Sequence, residues 1–149
     1  PAGRGSRFAI SSAAERAGSH CAEGEAVVFS CTISGKTASV CVGAATVNYR
    51  YGPLGAPELQ IASTGADGLA RVSSRSGGFG KVSAVTFSNG GYEYRVFAME
   101  GGVEADDRGK FSAGVDVAQG ETIVAEFECP DAASTYFLAS EIPAQRDDN

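Results

Sequence analysis

Residues 26–42, AVVFSCTISGKTASVCV, hold two runs of alternating apolar and polar side chains about a Ser34-Gly35-Lys36-Thr37 break. Alternation at period two gives a strand one apolar face, and two such runs around a glycine-containing break make a β-hairpin. A two-residue turn on Gly35-Lys36 suits type II′, which takes glycine first, and pairs Ile33 with Ala38, Cys31 with Val40 and Phe29 with Val42. Val27, Phe29, Cys31 and Ile33 then share one apolar face, while Cys41 falls on the other, beside Ser30. Cys31 and Cys41 point apart, so no bond is expected between them, because a disulfide needs converging Cβ vectors.

The stretch from Thr122 to Cys129 alternates as well, with Ile123, Ala125, Phe127 and Cys129 on one side and Glu126 and Glu128 on the other. Cys129 thus belongs with the core set, as Cys31 does. The expected disulfides are Cys31–Cys129 and, by elimination, Cys21–Cys41. Closing the longer loop stabilises by roughly 4–5 kcal/mol in the chain-entropy model. With no Cys-x-x-Cys pair and a single histidine, His20, the four cysteines do not read as a zinc site. Disulfides persist in oxidising compartments, so a periplasmic or secreted protein is expected. The chain opens at Pro1 and its only methionine is Met99, which suggests a processed protein with its signal peptide removed. No apolar run approaches the ~20 residues of a membrane span.

Composition extends the strand reading to the whole chain. There are 13 Val against 4 Leu, with 20 Gly and no Trp, a balance that favours pleated surfaces and tight turns over helical stripes. Further strands are expected at 46–51, 59–62, 82–87, 92–99 and 113–117. Asn89-Gly90 is expected at the centre of a two-residue type I′ turn, and Gln119-Gly120 marks a third hairpin. The fold class is all-β: an antiparallel barrel or sandwich of seven to eight strands, stapled by disulfides. Residues 1–20 read as a flexible arm with one serine-capped helical turn, 21–129 as the β-domain and 130–149 as a tail.

Charge is uneven. Residues 96–149 carry 12 Asp and Glu against 3 Lys and Arg, so this end attracts cationic partners and repels nucleic acid. Glu104 and Asp106, in its densest part, are expected contact residues for such a partner; Glu100, Glu104, Asp106 and Asp107 lack the spacing of a calcium loop, and no metal is expected. The serine- and glycine-rich stretch Ser73–Lys81 lacks the order of a phosphate loop and reads as a solvent loop or, in the functional reading, as a docking loop. Its contact residues are Arg75, Ser76, Phe79 and Lys81, with Phe79 as anchor. His20 has no acid or nucleophile at motif spacing and reads as a solvated side chain of the arm. Tyr49, Tyr51, Tyr92 and Tyr94 recur at period two, the mark of one packed face. No serine has a general base in reach of a motif, so neither an enzyme nor a cofactor is expected.

Two resemblances add to this. Cys21-Ala-Glu-Gly-Glu, Val28-Phe29-Ser30-Cys31, Ser39-Val40-Cys41, Tyr49-Arg50-Tyr51-Gly52, Pro57-Glu58-Leu59 and residues 87–94, FSNGGYEY, resemble a family of small exported proteobacterial proteins of unknown function. That likeness covers roughly residues 21–129 and implies export, with no activity attached. Phe29–Gly35, Cys129 and the Ser73–Lys81 stretch are more loosely similar to periplasmic C-type lysozyme inhibitors, which are eight-stranded barrels. The serine-and-glycine loop does not match in order, and the inhibitors' lysine-bearing second motif is not found. The implied function is a non-enzymatic binding protein of the cell envelope with a protein partner, a cationic one such as lysozyme being the sharpest case. The alternative is a structural subunit of an extracellular or surface assembly, with the 1–20 or 130–149 segment adding to a neighbour's sheet edge.

Overall fold

The computed structural model describes residues 10–64, 66–78, 80–101, 111–130 and 145–146. One helical turn, α1 (Ala13–Arg16), precedes the strands β1 (Ala26–Ile33), β2 (Lys36–Val42), β3 (Val47–Gly52), β4 (Leu59–Ser63) and β5 (Ala70–Gly77). They continue as β6 (Gly80–Asn89), β7 (Tyr92–Gly101), β8 (Phe111–Gln119), β9 (Thr122–Glu128) and the two-residue β10 (Gln145–Arg146). Strands β1-β2-β3-β4 form the smaller antiparallel sheet, and β5 to β9 form the larger one in sequence order, with β10 added parallel to β5. The sheets do not close on each other, so the architecture is a sandwich and not a barrel. Among the described residues the nine longer strands exceed the seven to eight expected, because β5 and β6 extend into the stretch read as a loop.

Strict alternation builds the core. In the larger sheet Val72, Val85, Val96, Val115 and Phe127 lie side by side in one row across five strands. Phe29, Val40, Tyr49 and Ile61 make the matching row of the smaller sheet. Except for Phe127, which is half-buried, these side chains are buried, and each stabilises the fold by about 1.5–3 kcal/mol relative to exposure. Tyr49 stacks on Phe87 and Tyr94 at 5.5 and 5.7 Å between ring centroids, and Tyr51 tilts against Phe127. Burial, with the neighbouring Tyr51 and Tyr94 hydroxyls, pushes ionisation of Tyr49 well above the ordinary tyrosine range.

Both expected disulfides are present, Cys21–Cys41 and Cys31–Cys129, with Cα–Cα distances of 5.4 and 5.8 Å. The second joins the two sheets across the core. The hairpin register behind this pairing is shifted by two residues, because the turn sits on Ser34-Gly35: Ile33 pairs with Lys36, Cys31 with Ala38 and Phe29 with Val40. Ser34 and Gly35 both have positive φ, 53° and 84°, as type I′ requires. A shift of two leaves every side chain on its face, so the cysteine assignment is unaffected. A bulge at Val28 then turns Val28 and Phe29 both into the core and sends Val27 to the side of Cys41. The β6–β7 turn is likewise Gly90-Gly91, with φ of 60° and 86°, and not Asn89-Gly90: Asn89 pairs with Tyr92.

The arm expected over 1–20 is, from residue 10 onward, part of the domain; residues 1–9 lie outside the described residues. Ser12 and Glu15 form a capping box on α1, and the segment 10–25 lies on the outer face of the smaller sheet. That face is polar. Ser30 meets Ser39 and Thr32 meets Thr37 through their hydroxyls, at 3.0 and 2.7 Å, and Thr37, Ser39 and Asn48 are buried. Of the tail, Pro130 and β10 are described, the latter paired with Arg71 and Val72 of β5.

Candidate functional site

Strand β9 forms one border of the larger sheet, and among the described residues nothing pairs with its outer edge. Among the described residues it pairs with β8 alone. A two-residue turn at Gly120-Glu121, with Gly120 at φ 62°, brings β9 back along β8 in the II′ manner, which takes glycine first. Farther along, Gly114 lets the strands close up: a Cβ there would overlap the Phe127 carbonyl oxygen. The Cys129 N–H donates to the Ala113 carbonyl at 2.7 Å, and the disulfide to Cys31 fixes that end.

The side chains along this border differ from the sequence expectation in one respect. A bulge at Val124 breaks the alternation, so Ile123 pairs with Ala118 on the outer face instead of joining Ala125, Phe127 and Cys129. Ile123 and Val124 are left 52% and 49% exposed, beside exposed Glu121, Glu126 and Glu128. The border therefore offers backbone N–H and C=O groups with no partner among the described residues, two apolar side chains and three carboxylates. On the adjoining strands Asp116 meets Arg95 at 3.5 Å, and the Arg95 guanidinium lies 5.3 Å over the Phe97 ring. An unpaired edge can accept an added strand, and its charges select which one.

The contact residues expected from the sequence fall elsewhere. Arg75 and Ser76 belong to β5 and Lys81 to β6; Arg75 lies opposite Val82, Ser76 opposite Lys81 and Gly77 opposite Gly80. Residues 73–77 and 80–81 are thus strand-paired and not loop, because cross-strand pairing overrides the weak strand propensity of serine and glycine. Arg75, Ser76 and Lys81 are exposed and brought together at the end of the β5–β6 pair, and Lys81 faces Glu100 across the β6–β7 pair. Phe79, Glu104 and Asp106 lie outside the described residues. Asp107, the remaining acidic residue of that cluster, does so as well.

His20 is not a solvated side chain. Its backbone N–H donates to Ser39 Oγ at 3.1 Å, and its Nε2 faces the carbonyl oxygens of Thr37 and Gly52 at 3.1 and 2.9 Å, so Nε2 carries the proton. Cys21, Glu25 and Cys41 place their ligand atoms within 4.8 Å of one another. The two sulfurs are joined to each other, and the Glu25 carboxylate receives Arg50 at 2.7 and 3.0 Å, so this cluster is a covalent and ionic clamp. Burial alone would raise the Glu25 carboxyl; the Arg50 hydrogen bond, the Ala22 N–H and the Arg50 charge outweigh it and hold it below its ordinary value.

Sequence reasoning missed the open border because alternation assigned Ile123 to the core. It also missed a groove of about 580 Å³ between β4 and the β6–β7 turn, which residues far apart in the chain assemble. No family model, curated protein or solved structure matches the chain.

Proposed function

We propose that this protein is a non-enzymatic, exported binding module that takes an extended, cationic segment of a partner protein onto the free edge of β9. The observation that carries the reading is the border itself: a strand whose outer edge has no partner among the described residues and whose exposed Ile123 and Val124 sit among Glu121, Glu126 and Glu128. Main-chain hydrogen bonds would supply affinity, and the carboxylates would select against acidic strands, including a second β9 edge. Two disulfides support export. The commitment of His20 Nε2 to two carbonyls supports a role other than proton transfer. Lysozyme remains the named cationic probe, although the stretch likened to an inhibitory loop is strand-paired and the sandwich is not a barrel.

The test is titration of isotope-labelled protein with a soluble peptide of alternating Lys and Val, and with lysozyme. The expected result is shifts along residues 122–128, salt-sensitive binding, and loss of binding in the Glu126→Lys, Glu128→Lys variant. Equal binding by an acidic peptide of the same pattern, or shifts confined to other strands, would overturn the proposal. A structural subunit is the second reading, favoured by one observation: Arg4, Arg7, Phe8 and Ile10 give residues 1–10 the chemistry that β9 selects. Concentration-dependent polymers that lose the ability to form when Arg4 and Arg7 become Glu would establish it.

A further inference from the structure

We infer that the groove between β4 and the β6–β7 turn is a second binding site, for a short neutral oligosaccharide. Of the four tyrosines at period two, Tyr49, Tyr51 and Tyr94 pack with the core. Tyr92 continues the same row, its ring tilted at 6.5 Å from Tyr94, but lines the groove beside β4 and is 37% exposed. A ring anchored on one side and open on the other is a platform for the C–H face of a sugar, in the way that an amphipathic aromatic presents one dry and one wet side. The turn beside it is Gly90-Gly91, and a Cβ at either position would meet open space, so no side chain from the turn covers the platform.

The polar groups around the ring suit vicinal hydroxyls. Gln60 on β4 and Asn89 at the end of β6 both line the groove and are exposed, and neither carboxamide makes a hydrogen bond among the described residues. Each offers a donor and an acceptor a few ångströms apart, which is the pattern that a pair of hydroxyls requires. Among the described residues the one ionic group in the lining is Glu93, and the Arg71 guanidinium neutralises it at 3.0 Å. A neutral ligand is therefore favoured over an anion or a cation. The volume of about 580 Å³ falls within the range of small-ligand sites.

The experiment is a nuclear magnetic resonance titration of the whole protein with β-linked N-acetylglucosamine, glucose and mannose trimers, up to millimolar concentration. The inference expects one series to give saturable shifts at Gln60, Asn89 and Tyr92, tenfold or greater weakening in Tyr92→Ala, and affinity within threefold of the parent in Tyr92→Phe, which keeps the platform. No saturable shift with any series overturns it, as does binding that Tyr92→Ala leaves unchanged. Saturable shifts of Gln60, Ile61 and Ala62 with a neutral extended peptide, and not with sugars, would reassign the groove to strand addition on β4.

Discussion

Arg50 and Glu25 meet across the outer face of the smaller sheet in a two-pronged ion pair, with both side chains 13% exposed. Arg50 also donates to the His20 carbonyl at 3.1 Å, so one guanidinium ties the segment 10–25 to β3 at two points. Arg50→Ala should destabilise by about 3 kcal/mol, because it leaves a largely buried carboxylate without its partner. Replacing both, as Arg50→Met with Glu25→Leu, should cost less than either single change. Denaturant unfolding of the three variants checks this; a double variant as unstable as the sum of the singles would refute it.

Asp67 organises the passage from one sheet to the other. Its carboxylate accepts from Leu69 N–H, Ser63 Oγ and Thr64 N–H at 2.9, 2.7 and 3.1 Å, and these bonds lower its pKa from 3.8 to about 2. A depressed folded value means that the stabilisation is present above pH 3.8 and is lost as pH falls towards 2. Melting temperature should decline through that window in the parent. In Asp67→Asn it should start lower at pH 6 and decline less.

The two disulfides should differ in effect because they close loops of different length, 98 against 20 residues. In the chain-entropy model the longer contributes about 4.7 kcal/mol and the shorter about 3.3. Paired Cys→Ser variants, unfolded in parallel, should preserve that order. Peptide mapping without reductant should recover Cys31 with Cys129 and Cys21 with Cys41.

The turn at Gly90-Gly91 makes a positional prediction. Gly91→Val should cost about 1 kcal/mol or more, since a β-branched residue resists φ of 86°. Asn89→Val should cost little, because Asn89 lies in the strand opposite Tyr92. The reverse order in thermal unfolding would return the turn to Asn89-Gly90.

Side-chain parity was legible along most of the strands, and register was not. Moving the first turn from Gly35-Lys36 to Ser34-Gly35, or the second from Asn89-Gly90 to Gly90-Gly91, slides one strand by two residues and changes no face. The core rows and the cysteine partners could therefore be read from alternation, while the turn centres depended on which adjacent pair tolerates two positive φ values. Bulges at Val28 and Val124 are invisible to a period of two, and each moved an apolar residue off its assigned face: Val27 and Ile123. The outer face of the smaller sheet was hidden for another reason. Its serines and threonines look solvent-facing, but segment 10–25 covers part of them through hydrogen bonds from His20 and the Cys21–Cys41 disulfide.

The Cys31–Cys129 bond also makes a covalent ring of everything from β2 through β9. A protease that clips any peptide bond between those two residues opens the ring without releasing a fragment. The β6–β7 and β8–β9 turns could each be nicked once, singly, with the molecule still travelling as one piece until a reductant reaches the bond. Damage is then separated from loss.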